Sequence, residues 1–233
     1  MIGIPKGFKM LNADCMDIMK DLKDNEFDLA IVDPPYRDAK NNDMNQWNRK
    51  HIRKGRLKNW QNKPRKSYFK ELFRVSKNQI IWGANNFELP PYSGFVIWRK
   101  LSISEGFNMS MCEVAYLSKG LGTISKVFEK TPQIKNRIHP TQKPLELYEW
   151  LLKKYANKGD KILDTHLGSG TSAIACYSYN FDFLGIEINK EYYDDAKKRF
   201  KEYIKQIELP ITAISEDDFN GLTKKENIDN VKK

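Results

Sequence analysis

The sequence has few cysteines and no long apolar run, and both absences exclude classes of protein. Its three cysteines, Cys15, Cys112 and Cys176, form no C-x-x-C pair. Neither a disulfide framework nor a zinc or other metal site is therefore predicted. No apolar stretch approaches the ~20 residues that a membrane span needs, and the N-terminus lacks the apolar core of a signal peptide. We expect a reduced, cytoplasmic protein that makes no membrane contact.

Positive charge is abundant and unevenly placed. The 233 residues carry a net charge of +10. Residues 37–66, here called the basic segment, hold eleven Lys or Arg and only two acids, together with Trp47, His51 and Trp60. A solvated insertion is the alternative, but clustered charge with interleaved aromatic residues favours an arm that binds nucleic-acid phosphates.

Apolar runs and amphipathic segments alternate along the chain, which predicts an α/β fold. A mostly parallel, twisted sheet with helices on both faces is typical of that order. We expect a single domain over 1–208, with the basic segment as a DNA-contacting insertion, a short recognition or loop region over 118–138 and a polar tail over 209–233. Trp82, Trp98 and Phe95 are predicted to lie in the core. The strands are predicted at 8–14, 27–32, 79–84, 95–98, 111–117, 161–164 and 183–188, and the helices at 15–23, 67–77, 145–156, 172–177 and 190–207.

A glycine-rich turn follows the apolar strand at 161–164. Gly168 and Gly170 allow a ligand to approach the backbone, and the helix after them offers free N–H groups. Glu187 ends the next strand, where a carboxylate can accept hydrogen bonds from both hydroxyls of a ribose. With Ala173 these glycines also satisfy the loose G-x-G-x-x-A dinucleotide fingerprint, so a nicotinamide-dependent oxidoreductase stays open. A tight turn with a solvated Glu is the structural alternative.

The position of Asp164 discriminates between adenosine cofactors. Its carboxylate at the end of the strand would repel a pyrophosphate but suits a cationic, amino-bearing ligand. S-adenosylmethionine has a sulfonium, an ammonium and a ribose and no phosphate. The charges therefore favour S-adenosylmethionine.

Three stretches together resemble one family. D33-P-P-Y36, H139-P-T-Q-K-P144 and D164-T-H-L-G-S-G-T171 are similar to the catalytic, cofactor-flanking and cofactor-binding motifs of amino-DNA methyltransferases. The order resembles the circularly permuted β class, and the middle of the chain resembles small phage and prophage adenine-N6 methyltransferases. The resemblance covers about residues 8–205. It implies a Rossmann-like, S-adenosylmethionine-dependent methyltransferase fold that acts on double-stranded DNA.

The resemblance also implies roles for particular residues. The catalytic residues would be Asp33, Pro34, Pro35 and Tyr36. A recognition domain is barely present before His139, so the basic segment is expected to carry much of the DNA contact, through Arg37, Arg49, Lys50, Arg53, Lys54, Arg56 and Lys58. The cofactor would be held by Asp14, His139, Thr141, Gln142, Lys143, Asp164, His166, Gly168, Ser169, Gly170, Thr171 and Glu187.

Helix capping is the alternative role for two of these residues. Asp14 is able to cap the helix that follows it, and Thr141 the helix that starts near Pro144. This chain also departs from the family, with Thr165 and His166 at positions that usually hold Pro and Phe. Arg99, in W-R-K, stands where an acid is commoner.

The chemistry explains why a strand would end in D-P-P-Y. An exocyclic base amine is a poor nucleophile because its lone pair is conjugated into the ring. Asp33 and the Pro34 carbonyl are predicted to accept its two hydrogens and to stabilise the developing positive charge. Tyr36 offers a face on which the flipped base stacks. The resemblance, with D-P-P-Y in place of S-P-P-Y, implies that the acceptor is adenine N6.

Other functions remain open at this point. N4-cytosine methyltransferases share the scaffold, and a nucleic-acid-binding protein with a vestigial cofactor fold is a third class. RNA or protein-glutamine methylation ranks lower, since it typically goes with Asn in place of Asp33. A homodimer and a companion restriction endonuclease are possible partners.

Overall fold

Eight strands form one sheet in the part of the chain that the computed structural model describes, residues 4–36, 63–132, 137–139 and 141–208. The strands are β1 Phe8–Asn12, β2 Phe27–Val32, β3 Ser76–Trp82, β4 Gly94–Arg99, β5 Cys112–Leu117, β6 Lys126–Glu129, β7 Lys161–Asp164 and β8 Asp182–Glu187. The helices are α1 Cys15–Met19, α2 Lys66–Val75, α3 Leu145–Tyr155, α4 Thr171–Ser178 and α5 Lys190–Glu208. None of these described helices is long and apolar enough to cross a membrane.

The strand order is β1-β8-β7-β2-β3-β5-β4-β6. The first five strands in that order are parallel to one another. β5 is antiparallel to β3 and to β4, and β6 runs parallel to β4 at the edge. The prediction of a mostly parallel sheet is confirmed, and all the parallel strands present their carboxyl ends at the same edge.

The apolar run of β2 is continuous because both of its faces are covered. Val32 lies in an apolar cluster with Met19 of α1 and Leu72 of α2. Ile31 points to the opposite face and is also buried. On that face Phe8 stacks against Phe200 of α5, with ring centroids 5.1 Å apart. Helices therefore pack on both faces, as predicted.

Two predictions about β structure are wrong. Residues 118–138 were expected to be a loop, but Lys126–Glu129 forms β6 because it pairs with β4. Phe95 was expected in the core, but it is 37% exposed, since alternate residues of β4 face an uncovered side of the sheet. Trp82 and Trp98 are buried, as predicted.

Contacts divide the chain into two units. Ile2–Phe200 is one, and the second begins at Lys201 and includes the end of α5. The predicted tail, 209–233, and the predicted DNA contacts all lie outside the described residues. Those contacts are Arg37, Arg49, Lys50, Arg53, Lys54, Arg56 and Lys58.

Candidate active site

A cavity of about 1240 Å³ lies where the parallel strands end. Its walls come from residues 13–16 after β1, 33–36 after β2, 83–86 after β3 and the turn after β7. Ligands of open α/β sheets bind at this edge. The cavity brings together most of the predicted site residues: Asp14, Asp33, Pro34, Pro35, Tyr36, His139, Thr141, Gln142, Lys143, His166, Gly168, Ser169, Thr171 and Glu187.

The turn after β3 holds Tyr36 in place. Gly83 adopts a left-handed conformation with φ +69°. A Cβ built on Gly83 would lie 2.3 Å from Cδ1 of Tyr36, so the tyrosine ring packs directly against this backbone. The packing requires glycine for two separate reasons, the positive φ and the absence of a side chain.

Asp33 takes part in a row of alternating charges in which Lys143 is buried and the other members are half-buried. The Lys143 ammonium lies 2.5 Å from Asp33 Oδ2 and 3.1 Å from Glu113 Oε2. Glu113 Oε1 in turn lies 2.6 Å from the ammonium of Lys100. We call Asp33, Lys143, Glu113 and Lys100 the charge row. The resemblance implied that Lys143 helps to hold the cofactor, whereas the structure places its ammonium against Asp33.

Burial and pairing act against each other on these groups. Burial raises the pKa of Asp33 above its ordinary value, and the Lys143 ammonium opposes that rise. Burial of Lys143 favours the neutral amine, but Asp33 and Glu113 outweigh it and raise the pKa of Lys143 well above its usual value. Burial also acts upward on Glu113, yet Lys143 and Lys100 lower its pKa overall. Lys143 is therefore an ammonium and not a base.

The glycine turn is fastened to the end of β8 through Glu187. Glu187 Oε2 accepts a hydrogen bond from the Gly168 N–H at 2.9 Å, and Oε1 accepts one from the Asn189 N–H at 2.8 Å. Each carboxylate oxygen has a second lone pair. The same side chain that orders the turn is thus able to accept hydrogen bonds from a ligand in the cavity.

Asp164 does not line the cavity, and the role predicted for it needs correction. Its Oδ2 accepts a hydrogen bond from Ser172 Oγ at 2.6 Å, and Oδ1 accepts one from the His166 N–H at 3.0 Å. The carboxylate therefore joins β7 to the first turn of α4 instead of facing a ligand. Gly170 also lies outside the cavity lining, and a Cβ there would be 3.1 Å from Cβ of Ala196.

Two half-buried histidines flank the turn. Burial lowers the pKa of His166 to about 4 and that of His139 to about 3, so both are neutral at pH 7. The His166 ring packs edge-on against Tyr68, and its Nδ1 lies 2.9 Å from Oγ1 of Thr165. The polar pair Thr165 and His166 is accommodated because the Tyr68 hydroxyl lies 2.6 Å from the same Oγ1.

Of the two residues with an alternative role as a helix cap, Asp14 is a cap and Thr141 is not. Asp14 caps α1, since its Oδ1 accepts a hydrogen bond from the Met16 N–H at 2.8 Å, and it also lines the cavity. Thr141 does not cap α3, which begins after Pro144 with no side-chain cap. Instead Oγ1 of Thr141 lies 3.1 Å from Nδ1 of His139.

Sequence reasoning missed Glu113, Lys100 and Tyr68. Glu113 is a single acid in the otherwise apolar strand C112-E-V-A-Y-L117, and a buried acid requires a cation. That signal pointed to a partner without identifying it. Arg99, whose role was open, pairs with Glu129 at 2.9 Å on the exposed edge, while the next residue, Lys100, enters the site.

Comparison with known proteins gives a family and a fold. A protein-family model described as DNA methylase matches residues 57–198. The type II methyltransferase M.HpaI of Haemophilus parainfluenzae is 49% identical over 61 residues, which is 26% of this chain and 19% of that enzyme. The type II methyltransferase M2.MboI of Moraxella bovis is 23% identical over an alignment that covers 95% of this chain and 94% of that enzyme.

Solved structures agree with the sheet described above. The crystal structure of the M1.HpyAVI–SAM complex matches with a TM-score of 0.52 at 24% identity, covering 82% of this chain and 99% of the other. PvuII DNA methyltransferase, titled cytosine-N4-specific, matches with a TM-score of 0.56 at 11% identity, covering 89% and 96%. The predicted Rossmann-like methyltransferase fold is confirmed.

Proposed function

Since this chain belongs to the N6/N4 DNA methylase family, we propose that it transfers a methyl group from S-adenosylmethionine to the exocyclic N6 of an adenine in DNA. One observation carries the proposal. Asp33 of D-P-P-Y lines the same cavity as the glycine turn and Glu187, although 154 positions separate the two carboxylates in the sequence.

The cavity suits this cofactor in charge and in size. Its volume of about 1240 Å³ exceeds the range of about 300–1,000 Å³ that is common for single small-molecule sites, which leaves space for a base beside the cofactor. Asp14 and Glu187 present carboxylates at the strand ends, a charge that suits an amino-bearing cation and opposes a pyrophosphate. The cofactor supplies an electrophilic methyl group on its sulfonium.

The chain's own groups prepare the amine. Asp33 and the carbonyl of Pro34 accept the two amine hydrogens, so the nitrogen lone pair turns out of the ring and its developing positive charge is stabilised. Two consecutive prolines hold that carbonyl rigidly. Tyr36, held by Gly83, provides the aromatic face against which the base stacks.

A base reaches this cavity only after it leaves the duplex. The loop between β4 and β5 contributes two exposed apolar side chains to the cavity lining, Phe107 at 58% and Met109 at 50% exposure. Apolar side chains of this kind insert between base steps and replace lost stacking. We assign Phe107 and Met109 to that role.

The basic segment supplies the contact with DNA phosphates in this proposal. Its eleven Lys or Arg against two acids give it a net charge of +9, and the whole chain carries +10. This concentration of positive charge supports electrostatic binding to DNA. Replacing Arg53, Lys54 and Arg56 together with Gln is expected to flatten the dependence of log affinity on log salt by about three units of slope. Fluorescence anisotropy of a labelled duplex at several salt concentrations measures the slope, and an unchanged slope contradicts the assignment.

Incubation with tritiated S-adenosylmethionine and duplex DNA tests the proposed reaction. Label is expected in the DNA, and digestion to nucleosides followed by chromatography is expected to show N6-methyl-2′-deoxyadenosine. Single-stranded RNA serves as the control substrate. Asp33→Ala is expected to abolish transfer while calorimetric affinity for the cofactor stays within a few fold. DNA binding without transfer contradicts the proposal.

N4-methylcytosine is the second candidate product. The match to PvuII DNA methyltransferase, titled cytosine-N4-specific, favours it, and the same digestion distinguishes the two nucleosides. The order of the motifs supports assignment to the permuted β class and to the small phage-type adenine enzymes. The type II names of M.HpaI and M2.MboI support a companion restriction endonuclease, and sedimentation tests the proposed homodimer.

A further inference from the structure

Lys143 is more deeply buried than its charge allows without compensation. Its side chain is 2% exposed, and its ammonium lies 5.2 Å from the ring centroid of Trp82. Two carboxylates from different strands compensate the charge, Asp33 after β2 and Glu113 on β5. A buried ion pair of this kind costs desolvation energy, so it contributes little net stability. Another reason for its presence is therefore required.

The two oxygens of Asp33 are in different situations. Oδ2 is paired with Lys143, whereas Oδ1 is buried and has no hydrogen-bond partner among the described residues. A buried acceptor without a donor is unfavourable, and a donor brought by a ligand relieves it. An exocyclic amine is such a donor.

We propose that Lys143 is the positioning residue for Asp33, with its ammonium holding Oδ2 so that Oδ1 is left to accept a hydrogen from the target amine. Glu113, itself held by Lys100, shares the ammonium and keeps Lys143 from fully neutralising Asp33. This inference rests on the proposed function, because it assigns a role within the same site. Lys143 touches neither the amine nor the cofactor in this scheme.

Several other groups face the charge row. Asp33 interacts electrostatically with Asp164 of β7 and with Tyr148 of α3, and Tyr36 does so with Lys143. Arg137 and His139 belong to the segment before α3. There Lys143 interacts electrostatically with His139, and Glu113 with Arg137. All of them remain in place in the variants below, so a change in titration reports on the residue replaced.

Two substitutions are expected to move the titration of Asp33 in opposite directions. Lys143→Met removes the cation beside Asp33, so the acid limb of the rate of methyl transfer against pH should move upward by about 1–3 pH units. Glu113→Gln removes a carboxylate and leaves Lys143 to Asp33 alone, so the limb should move downward. Lys143→Arg retains the charge and should leave the limb close to that of the wild type.

Single-turnover transfer with saturating cofactor and DNA measures the limb between pH 5 and 9. Lys130→Met is the matched control, because it breaks a half-exposed pair with Glu146 outside the site. A purely structural role would lower the rate equally at every pH. The proposal is overturned if the variants lose rate equally at every pH or if their acid limbs do not move. It is also overturned if the limbs of Lys143→Met and Glu113→Gln move in the same direction.

A second measurement does not depend on activity. The carboxyl carbon of Asp33, followed by NMR in protein labelled with ¹³C-aspartate and assigned through Asp33→Asn, should titrate with the same opposite shifts. If the wild type transfers no methyl group but these shifts occur, the proposed function fails and the positioning of Asp33 stands. If Lys143→Met does not fold, Glu113→Gln and Lys143→Arg decide the question.

Discussion

The packing of Tyr36 on Gly83 gives a prediction that combines stability with activity. Gly83→Ala places a Cβ 2.3 Å from Cδ1 and 2.6 Å from Cε1 of Tyr36, at a residue with φ +69°. The substitution therefore has two effects, backbone strain and steric overlap with the ring. The ring must move or the fold must absorb the overlap, because real atoms do not approach so closely.

The two effects have separate magnitudes. A left-handed conformation costs a non-glycine residue about 1–2 kcal/mol, and overpacking costs about 1–3 kcal/mol more. If the ring moves instead, the loss of its stacking on the base is worth about 1–3 kcal/mol, or about 5- to 150-fold in transfer. Loss of cofactor affinity is not expected, since Gly83 lies on the Tyr36 side of the cavity.

Gly159→Ala is the control for the strain. Gly159 has φ +90° in the turn closed by the hydrogen bond from the Asp160 N–H to the Asn157 carbonyl, and a Cβ there meets nothing within 4 Å, so only the backbone effect operates. Urea unfolding of Gly83→Ala, Tyr36→Ala and the double variant completes a cycle. In the Tyr36→Ala background the overlap is absent, and a coupling of about 1–3 kcal/mol is expected.

The reasoning is refuted by one combination of results. If Gly83→Ala destabilises no more than Gly159→Ala and also transfers methyl groups at the wild-type rate, the ring does not pack on Gly83 in the working enzyme. Additive effects of Gly83→Ala and Tyr36→Ala, together with normal transfer, lead to the same conclusion. A stable protein with slow transfer supports the displaced ring.

Three further predictions follow from the site. Glu187→Ala should weaken cofactor affinity measured by calorimetry, because it removes both the brace of the glycine turn and the proposed ribose acceptor; unchanged affinity contradicts this role. Phe107→Ala should slow methyl transfer to a paired target base more than transfer to a mismatched one, because a mismatched base costs less to flip. Leu101 is equally exposed on the same loop but lies outside the cavity lining, so Leu101→Ala should leave both transfer rates unchanged. Burial raises the pKa of Asp164 to about 7, whereas the pKa of an Asp in an unfolded chain is ~3.9. Between these two pH values Asp164 is therefore protonated in the folded protein and ionised in the unfolded one. Stability should therefore fall by at most about 4 kcal/mol from pH 4 to pH 7, and Asp164→Asn should lose this part of the dependence in urea unfolding; a parallel pH profile for the variant would show that Asp164 is ionised throughout.

The buried parallel strands were readable from the sequence because burial on both faces leaves a direct trace in composition. Phe27–Val32 is apolar almost throughout, and its turn residues follow at once. β6 left no such trace, since it has only four residues and alternates between half-buried and exposed positions. Its strand structure depends on pairing with β4, which local sequence does not encode.

The site was predictable in its residues but less so in their contacts. D-P-P-Y, the glycine turn and Glu187 carry chemistry in their residue types and their positions at strand ends. The direction of Lys143 was not predictable, because its place in H139-P-T-Q-K-P144 implies contact with the cofactor, whereas the fold sets its ammonium against Asp33. Its pairing with Glu113 joins positions 30 residues apart in the sequence.

The ion pair between Lys100 and Glu113 closes the two ends of the loop that carries Phe107. The next contact along the same row, from Glu113 through Lys143, reaches Asp33. If DNA displaces the tip of this loop, the ion pair that joins the two ends of the loop therefore opposes the movement. The same row of charges also orients the Asp33 carboxylate. Exchanging this loop to alter target choice would disturb the reacting group at the same time, unless both anchoring residues are kept.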